Sequence, residues 1–168
     1  MAVGDPLGPL PAADALISAV GRVGSIDDLE TALGYRFRDR ALLERALTHS
    51  SARSELKLAA DNERLEFLGD RVLGLAVAEL LLERLPEADE GTLARHFNRL
   101  VRREACARVA RDLQLGDCLR LGEGEAGSGG RAKDTILADA CEALLGAMLL
   151  DAGFARARRV VRRLWEQR

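Results

Sequence analysis

Asn62-Glu-Arg-Leu-Glu-Phe-Leu-Gly-Asp70-Arg-Val-Leu-Gly-Leu-Ala-Val-Ala-Glu-Leu-Leu-Leu-Glu-Arg-Leu85 is the stretch on which the fold turns. It is apolar at helical spacing, carries no period-two alternation, and ends at Pro86, which cannot continue a helix. Asn62 is the expected N-cap. Three acids interrupt its first nine residues. Glu63, Glu66 and Asp70 stand at i, i+3 and i+7, within about 60° of one another on a helix turning 100° per residue. A second run, Ile136-Leu-Ala-Asp-Ala-Cys-Glu-Ala-Leu-Leu-Gly146, repeats the device with Asp139 and Glu142. These are the two most apolar helices of the chain and should pack in its core.

The remaining segments are also helical. Ser25 caps a helix to Leu33, with Asp27 and Asp28 in its first turn and Gly34 closing it. Asp39 caps another, striped by Leu42, Leu43, Ala46 and Leu47. Thr48 to Ala60 is polar and reads as irregular. One helix is expected from Thr92 to about Leu113, with Leu93, Phe97, Leu100, Val101 and Val109 inside. Leu121 to Arg131 holds five glycines in eleven residues and reads as a loop. Asp134 or Thr135 should cap a helix through Leu150, and Phe154 to Trp165 forms a last, Arg-rich one. The fold class is all-α. Residues 1–24 read as an N-terminal arm in which Asp14 to Val20 can form a short helix; residues 25–168 read as one domain.

The 168 residues are 48% hydrophobic and 31% charged, a balance that suits a soluble domain with a real core and disfavours disorder. No apolar run reaches bilayer-spanning length and no secretory signal is evident, so a cytoplasmic location is the default expectation. Cys106, Cys118 and Cys141 are odd in number and lack CxxC spacing, so they read as core or half-buried thiols. The net charge of −2 excludes a uniformly basic surface. It leaves room for a local one, because 23 of the 25 cations are Arg and residues 152–168 alone hold six Arg against one Glu.

Carboxylates on core-facing stripes are costly unless paired or metal-bound. One reading pairs them with Arg64, Arg71 or Arg103, or turns them to solvent. The other gathers them around hard divalent cations such as magnesium, which take oxygen ligands and assist phosphodiester chemistry. A Ser or Cys nucleophile is less attractive, since neither His49 nor His96 has an obvious partner.

The Asn62–Asp70 run resembles the signature of the ribonuclease III family. Ala46-Leu-Thr-His-Ser50, Leu121-Gly-Glu-Gly-Glu125 with Ser128-Gly-Gly-Arg131, Ile136–Ala143 and Leu149-Leu-Asp-Ala-Gly-Phe154 match in order, over roughly residues 26–165. The resemblance implies the family's endonuclease-domain helical bundle, homodimeric, cleaving double-stranded RNA with Mg2+ (Mn2+ as substitute) to leave 5′-phosphate and 3′-hydroxyl ends. It implies Glu66, Asp70, Asp139 and Glu142 as metal-binding carboxylates, with Asp70 and Glu142 catalytic, and Glu63 as an auxiliary acid. Phe67 would enter a pocket on the partner subunit, the alternative being intramolecular core. His49, Arg71, Arg131 and Lys133 are candidate RNA contacts, with His49 read as structural or substrate-adjacent rather than as a general base. The Gly122–Gly130 stretch either brings amides to phosphate or is a surface loop. It lacks the ending of a nucleotide P-loop, and no nucleotide cofactor is expected. Roles in rRNA processing and mRNA decay come with the family, and no membrane partner does.

Three departures bear on these expectations. Arg71 stands where many members carry a small residue, Ser50 replaces a frequent basic one, and the sequence ends at Arg168, where most bacterial members continue into a double-stranded-RNA-binding domain. A catalytically silent member that binds structured RNA or ribosomes is the alternative. Such a member should have lost some of the four acids, and all four are present.

Overall fold

The structure is a computed structural model that describes residues 25–166. The short helix expected over 14–20 lies outside them. Ten α-helices follow in order: α1 (Ile26–Leu33), α2 (Arg40–Ala46), α3 (Ser50–Leu56), α4 (Glu63–Arg84), α5 (Glu90–Val101), α6 (Arg103–Asp112), α7 (Leu115–Cys118), α8 (Glu123–Gly127), α9 (Asp134–Ala152) and α10 (Phe154–Trp165). A 3-10 turn, Gly130–Ala132, precedes α9. The only extended pairing among the described residues is an isolated bridge between Thr48 and Arg120.

α9 is the axis of the bundle. It is apolar on nearly every side, and Ile136, Leu137, Ala140, Leu144, Ala147 and Met148 are all buried, as a core helix requires. α4 lies against it most extensively, with α6, α10 and α2 packed around the remaining sides. The buried positions of α4, among them Leu65, Gly69, Val72, Leu73, Ala76 and Leu80, follow the three-to-four-residue rhythm of one helical face. Trp165, fully buried near the end of α10, donates its indole N–H to the Leu100 carbonyl at 2.9 Å. Asp151 in the last turn of α9 accepts from the Tyr35 hydroxyl and from the backbone N–H groups of Arg38 and Asp39, at 2.9 and 3.0 Å for the latter two.

Ser25 and Asp39 cap α1 and α2 as expected, and Gly34 takes the left-handed conformation that ends α1. Five other expectations are corrected. The irregular Thr48–Ala60 segment contains α3, whose N-cap is His49: its Nδ1 accepts the Ser51 N–H at 3.2 Å. Only Ala52 of α3 is buried, so the segment has no apolar stripe to announce a helix. Asn62 makes no side-chain cap. It already sits in helical geometry, and Asp61 accepts the Glu63 N–H instead at 3.2 Å while pairing with Arg53 at 2.8 Å.

The single helix expected from Thr92 to Leu113 is two. It begins at Glu90, capped by Asp89, and breaks at Arg102, whose backbone is extended. The break lets α5 pack on α4 while α6 packs on α9, which a straight rod does not do. The glycine-rich stretch holds α8 and the 3-10 turn, and the start of α8 is clamped to α3: Gly122 N–H donates to Ser51 Oγ at 3.0 Å, and Glu123 N–H to Glu55 at 2.8 Å. Finally, α9 starts without an Asp134 or Thr135 cap, Lys133 standing at that position, and runs two residues past Leu150.

The arginines of α10 are not an open basic face. Arg158 and Arg162 pair with Glu79 and Glu83 on α4, and Arg163 donates to the Ala32 carbonyl at 2.9 Å. Much of the Arg excess after residue 152 therefore braces the bundle.

Candidate metal centre

Two glycines bring the acids together. A Cβ built on Gly69 of α4 would stand 1.7 Å from the Glu142 carbonyl oxygen, and one on Gly146 of α9 would stand 2.1 Å from that of Leu65. The helices can cross this closely only because neither position has a side chain. Glu66 and Asp70, flanking Gly69, thereby face Asp139 and Glu142, which precede Gly146.

The electrostatics record that juxtaposition. Burial, then the neighbouring carboxylates of Asp70, Glu66 and Asp139, push Glu142 up to about 7. Glu66 is raised by burial and by Asp139, Glu63 and Asp70. Asp139 is raised by burial, against the opposing charges of Arg103 and His49. Glu63 itself is exposed and borders the group on the α4 side.

The cations nearby do not neutralise the four acids. Arg71 pairs with Asp70 at 2.8 Å, donates to the Phe67 carbonyl at 3.1 Å, and lies 3.9 Å over the Phe67 ring. Asp70 thus shares Arg71, and among the described residues Glu66, Asp139 and Glu142 form no ion pair. Among the described residues, no group of three or more Asp, Glu, His or Cys side chains is placed, as the side chains stand, to hold a metal ion together. The donor set nevertheless fits a hydrated magnesium ion, which binds through one or two carboxylates and keeps several waters. Such a cation would relieve the repulsion that raises Glu142 and Glu66.

A stability signature follows for the metal-free protein. Glu142 is held at about 7 in the fold against an ordinary 4.5, so between these values the folded state carries more protons than the unfolded chain. Stability therefore falls as pH rises through that window, and the raised Glu66 and Asp139 act in the same sense. Asp151 and Glu83 are held below their ordinary values, so they act in the opposite sense, and only at more acid pH. Urea unfolding in a chelator should show a higher midpoint near pH 5.5 than near pH 8, by on the order of 1–2 kcal/mol. Equal midpoints, or a higher one near pH 8, would contradict the mutual repulsion.

The four candidate RNA contacts are all engaged within the chain. His49 caps α3 and bonds Ser51, yet its charge reaches Asp139 and Glu125, which places it at the rim of the acids. Arg131 donates to the Gly116 and Leu119 carbonyls at 2.9 and 2.7 Å and so fastens α7. Lys133 holds Glu125 at 2.6 Å and Ser128 at 3.1 Å. Several amides of the glycine stretch are likewise taken, by Ser51, by Glu55 and within α8.

Phe67 is not core. It is 65% exposed, beside a cleft of about 630 Å3 that Arg45, Glu63, Leu68 and Leu150 help to line. Cys106 belongs to the site although its sequence context marks it only as a buried thiol. Its Sγ lies 3.7 Å from Glu142 Oε1. None of the three cysteines forms a disulfide.

Residues 39–167 match the family model described as Ribonuclease-III-like. The chain is 54% identical over 144 residues to Ribonuclease 3 of Caulobacter vibrioides, covering 86% of this chain and 62% of that protein. With Ribonuclease 3 of Jannaschia sp. it shares 57% identity over 136 residues, 81% of this chain and 59% of that one. It thus spans about three fifths of the length of these curated relatives. Among solved structures, it superposes on the nuclease domain of ribonuclease III from Campylobacter jejuni with a TM-score of 0.80 at 43% identity, covering 85% of this chain and 97% of that one. A description of that structure concerns flexibility in the region involved in dimer formation. This all-α chain, with its carboxylates gathered at a helix crossing, belongs to the ribonuclease-III-like family.

Proposed function

We propose that this chain is the nuclease domain of a magnesium-dependent endoribonuclease that hydrolyses double-stranded RNA, leaving 5′-phosphate and 3′-hydroxyl ends. One observation carries the reading: four carboxylates from two core helices meet at the Gly69–Gly146 crossing with too few cations to neutralise them. The catalytic unit comprises residues 25–168, with residues 1–24 as an appended arm.

Magnesium, with manganese as a substitute, would supply an activated water and neutralise charge at the scissile phosphate. Glu66, Asp70, Asp139 and Glu142 are the residues that hold it. Asp70 and Glu142 would lie closest to the chemistry, since among the neighbouring carboxylates Asp70 acts most strongly on Glu142. Glu63 adds negative charge at the rim. His49, Arg71, Arg131 and Lys133 border the substrate, their internal bonds fixing them rather than leaving them loose. Duplex RNA exposes phosphates and 2′-hydroxyls while hiding its bases, so a cutter of this kind reads backbone and shape. The setting is cytoplasmic, in rRNA maturation and mRNA decay. Among the described residues no helix is long and apolar enough to cross a membrane.

A duplex has two strands related by local twofold axes, and a homodimer offers two such centres. The exposed Phe67 and the adjoining cleft supply a knob and a hole on one face, the arrangement that an isologous interface needs. Phe67→Ala should leave thermal unfolding of the subunit nearly unchanged, since the ring is largely exposed. In sedimentation equilibrium it should weaken self-association by on the order of 2 kcal/mol or more, about thirtyfold. An unaltered dimer would remove Phe67 from the interface.

The functional reading is tested by offering long duplex RNA and single-stranded RNA of the same sequence in magnesium. Cleavage confined to the duplex, with 5′-phosphate products, is expected. Equal cleavage of both would contradict it.

A further inference from the structure

We propose that Cys106 is a positioning residue for Glu142: its thiol holds the carboxylate in the orientation from which it binds the metal. The inference rests on the metal-centre reading above and adds to it a residue from a third helix.

Three observations support it. Cys106 sits in the first turn of α6 and is fully buried where that helix packs on α9. Its Sγ is 3.7 Å from Glu142 Oε1 and 3.8 Å from the Val101 carbonyl at the end of α5, both within reach of a sulfur hydrogen bond. The Cys106 thiol is thus a side-chain donor to the Glu142 carboxylate. The bend at Arg102 has a consequence here. Because α5 stops and α6 restarts, the thiol is set between a carbonyl at the end of α5 and the acid. A thiol carries a single proton, so a bond to Glu142 is made at the expense of Val101. A neutral donor of this kind can orient a carboxylate without competing with a cation for its charge, unlike the arginine beside Asp70.

Plain packing is the competing explanation, and side chains of similar volume separate the two. Cys106→Val keeps the bulk and removes the donor, Cys106→Ser keeps a donor, and Cys106→Ala removes both. The readout is Mn2+ affinity of the dimer, measured by isothermal titration without RNA, with thermal unfolding in EDTA recorded beside it. We expect the valine and alanine variants to bind Mn2+ about three- to tenfold more weakly, the worth of one modest hydrogen bond. Serine should recover a measurable part of that loss. With duplex RNA in magnesium, kcat at fixed metal should fall for valine and alanine while KM for RNA holds.

Valine binding Mn2+ as tightly as wild type would overturn the proposal, as would serine binding no better than valine. If valine loses both its fold in EDTA and its affinity, alanine, which cannot overpack, decides between the two explanations. Failure of the wild-type chain to bind Mn2+ at all would instead strike the metal-centre reading itself, so the two failures are told apart.

Discussion

Glu142→Gln should lower magnesium-dependent cleavage of duplex RNA by about a thousandfold or more, while the dimer and its thermal stability survive. The substitution is nearly isosteric, so packing of α9 on α4 and α6 is kept. What is lost is the negative charge at the most strongly raised acid of the cluster. A metal-assisted reaction depends on that charge, because several kcal/mol of transition-state stabilisation passes through the ion. Stability should move the other way. The carboxylate removed is the one that burial and the charges of Asp70, Glu66 and Asp139 disfavour, so the variant in EDTA should unfold at the same temperature as wild type or slightly higher. Phe67 lies on an exposed face lined by other residues, so sedimentation should still find a dimer. Undiminished cutting would remove Glu142 from the site. Lost cutting together with a collapsed fold would show a structural role instead.

The second large effect is expected at Gly69. In the middle of a helix, Gly→Ala ordinarily stabilises by about 1 kcal/mol. Here the added methyl would stand 1.7 Å from the Glu142 carbonyl oxygen and 2.9 Å from the Gly146 nitrogen, both backbone atoms that no rotamer change can clear. The helices must separate, which opens the core on both sides of the crossing. Gly69→Ala should therefore destabilise by about 3 kcal/mol or more, an overpacking cost at or beyond the usual upper end. That corresponds to a midpoint lower by roughly 6–12 °C for a domain of this size. Magnesium-dependent cleavage by whatever remains folded should drop as well, because the same displacement parts Glu66 and Asp70 from Asp139 and Glu142. A melting temperature within a degree or two of wild type would contradict the close crossing.

How much of this was legible in the sequence depends on which forces act locally. α4, α9 and α10 could be read to within a residue or two of their ends, because long apolar rhythm, Pro86 and Gly153 are written in the chain itself. α3 could not, since it is held by His49, by Ser51 and by Glu55 reaching a segment some seventy residues away. The break at Arg102 was invisible for a related reason: both halves have helical periodicity, and only their separate partners, α4 and α9, set them at an angle. Within each helix, the spacing of the acids placed Glu66 with Asp70 and Asp139 with Glu142. What joins the pairs is the contact of Gly69 with Gly146, a relation between two distant glycines that periodicity does not express. Cys106 could not have been found from its own surroundings, which are those of any buried thiol. The arginines misled in the other direction, since composition suggested a basic face where α10 is in fact braced to Glu79 and Glu83.

In the proposed function, the acids at the α4–α9 crossing would hold the divalent cation on which cleavage of duplex RNA depends. The most direct test is cleavage of long double-stranded RNA by this chain across a magnesium titration, with EDTA and Glu142→Gln as the two controls. Products should appear with added magnesium and vanish in both controls. Cleavage that persists in EDTA, or that Glu142→Gln performs as well as wild type, would contradict it.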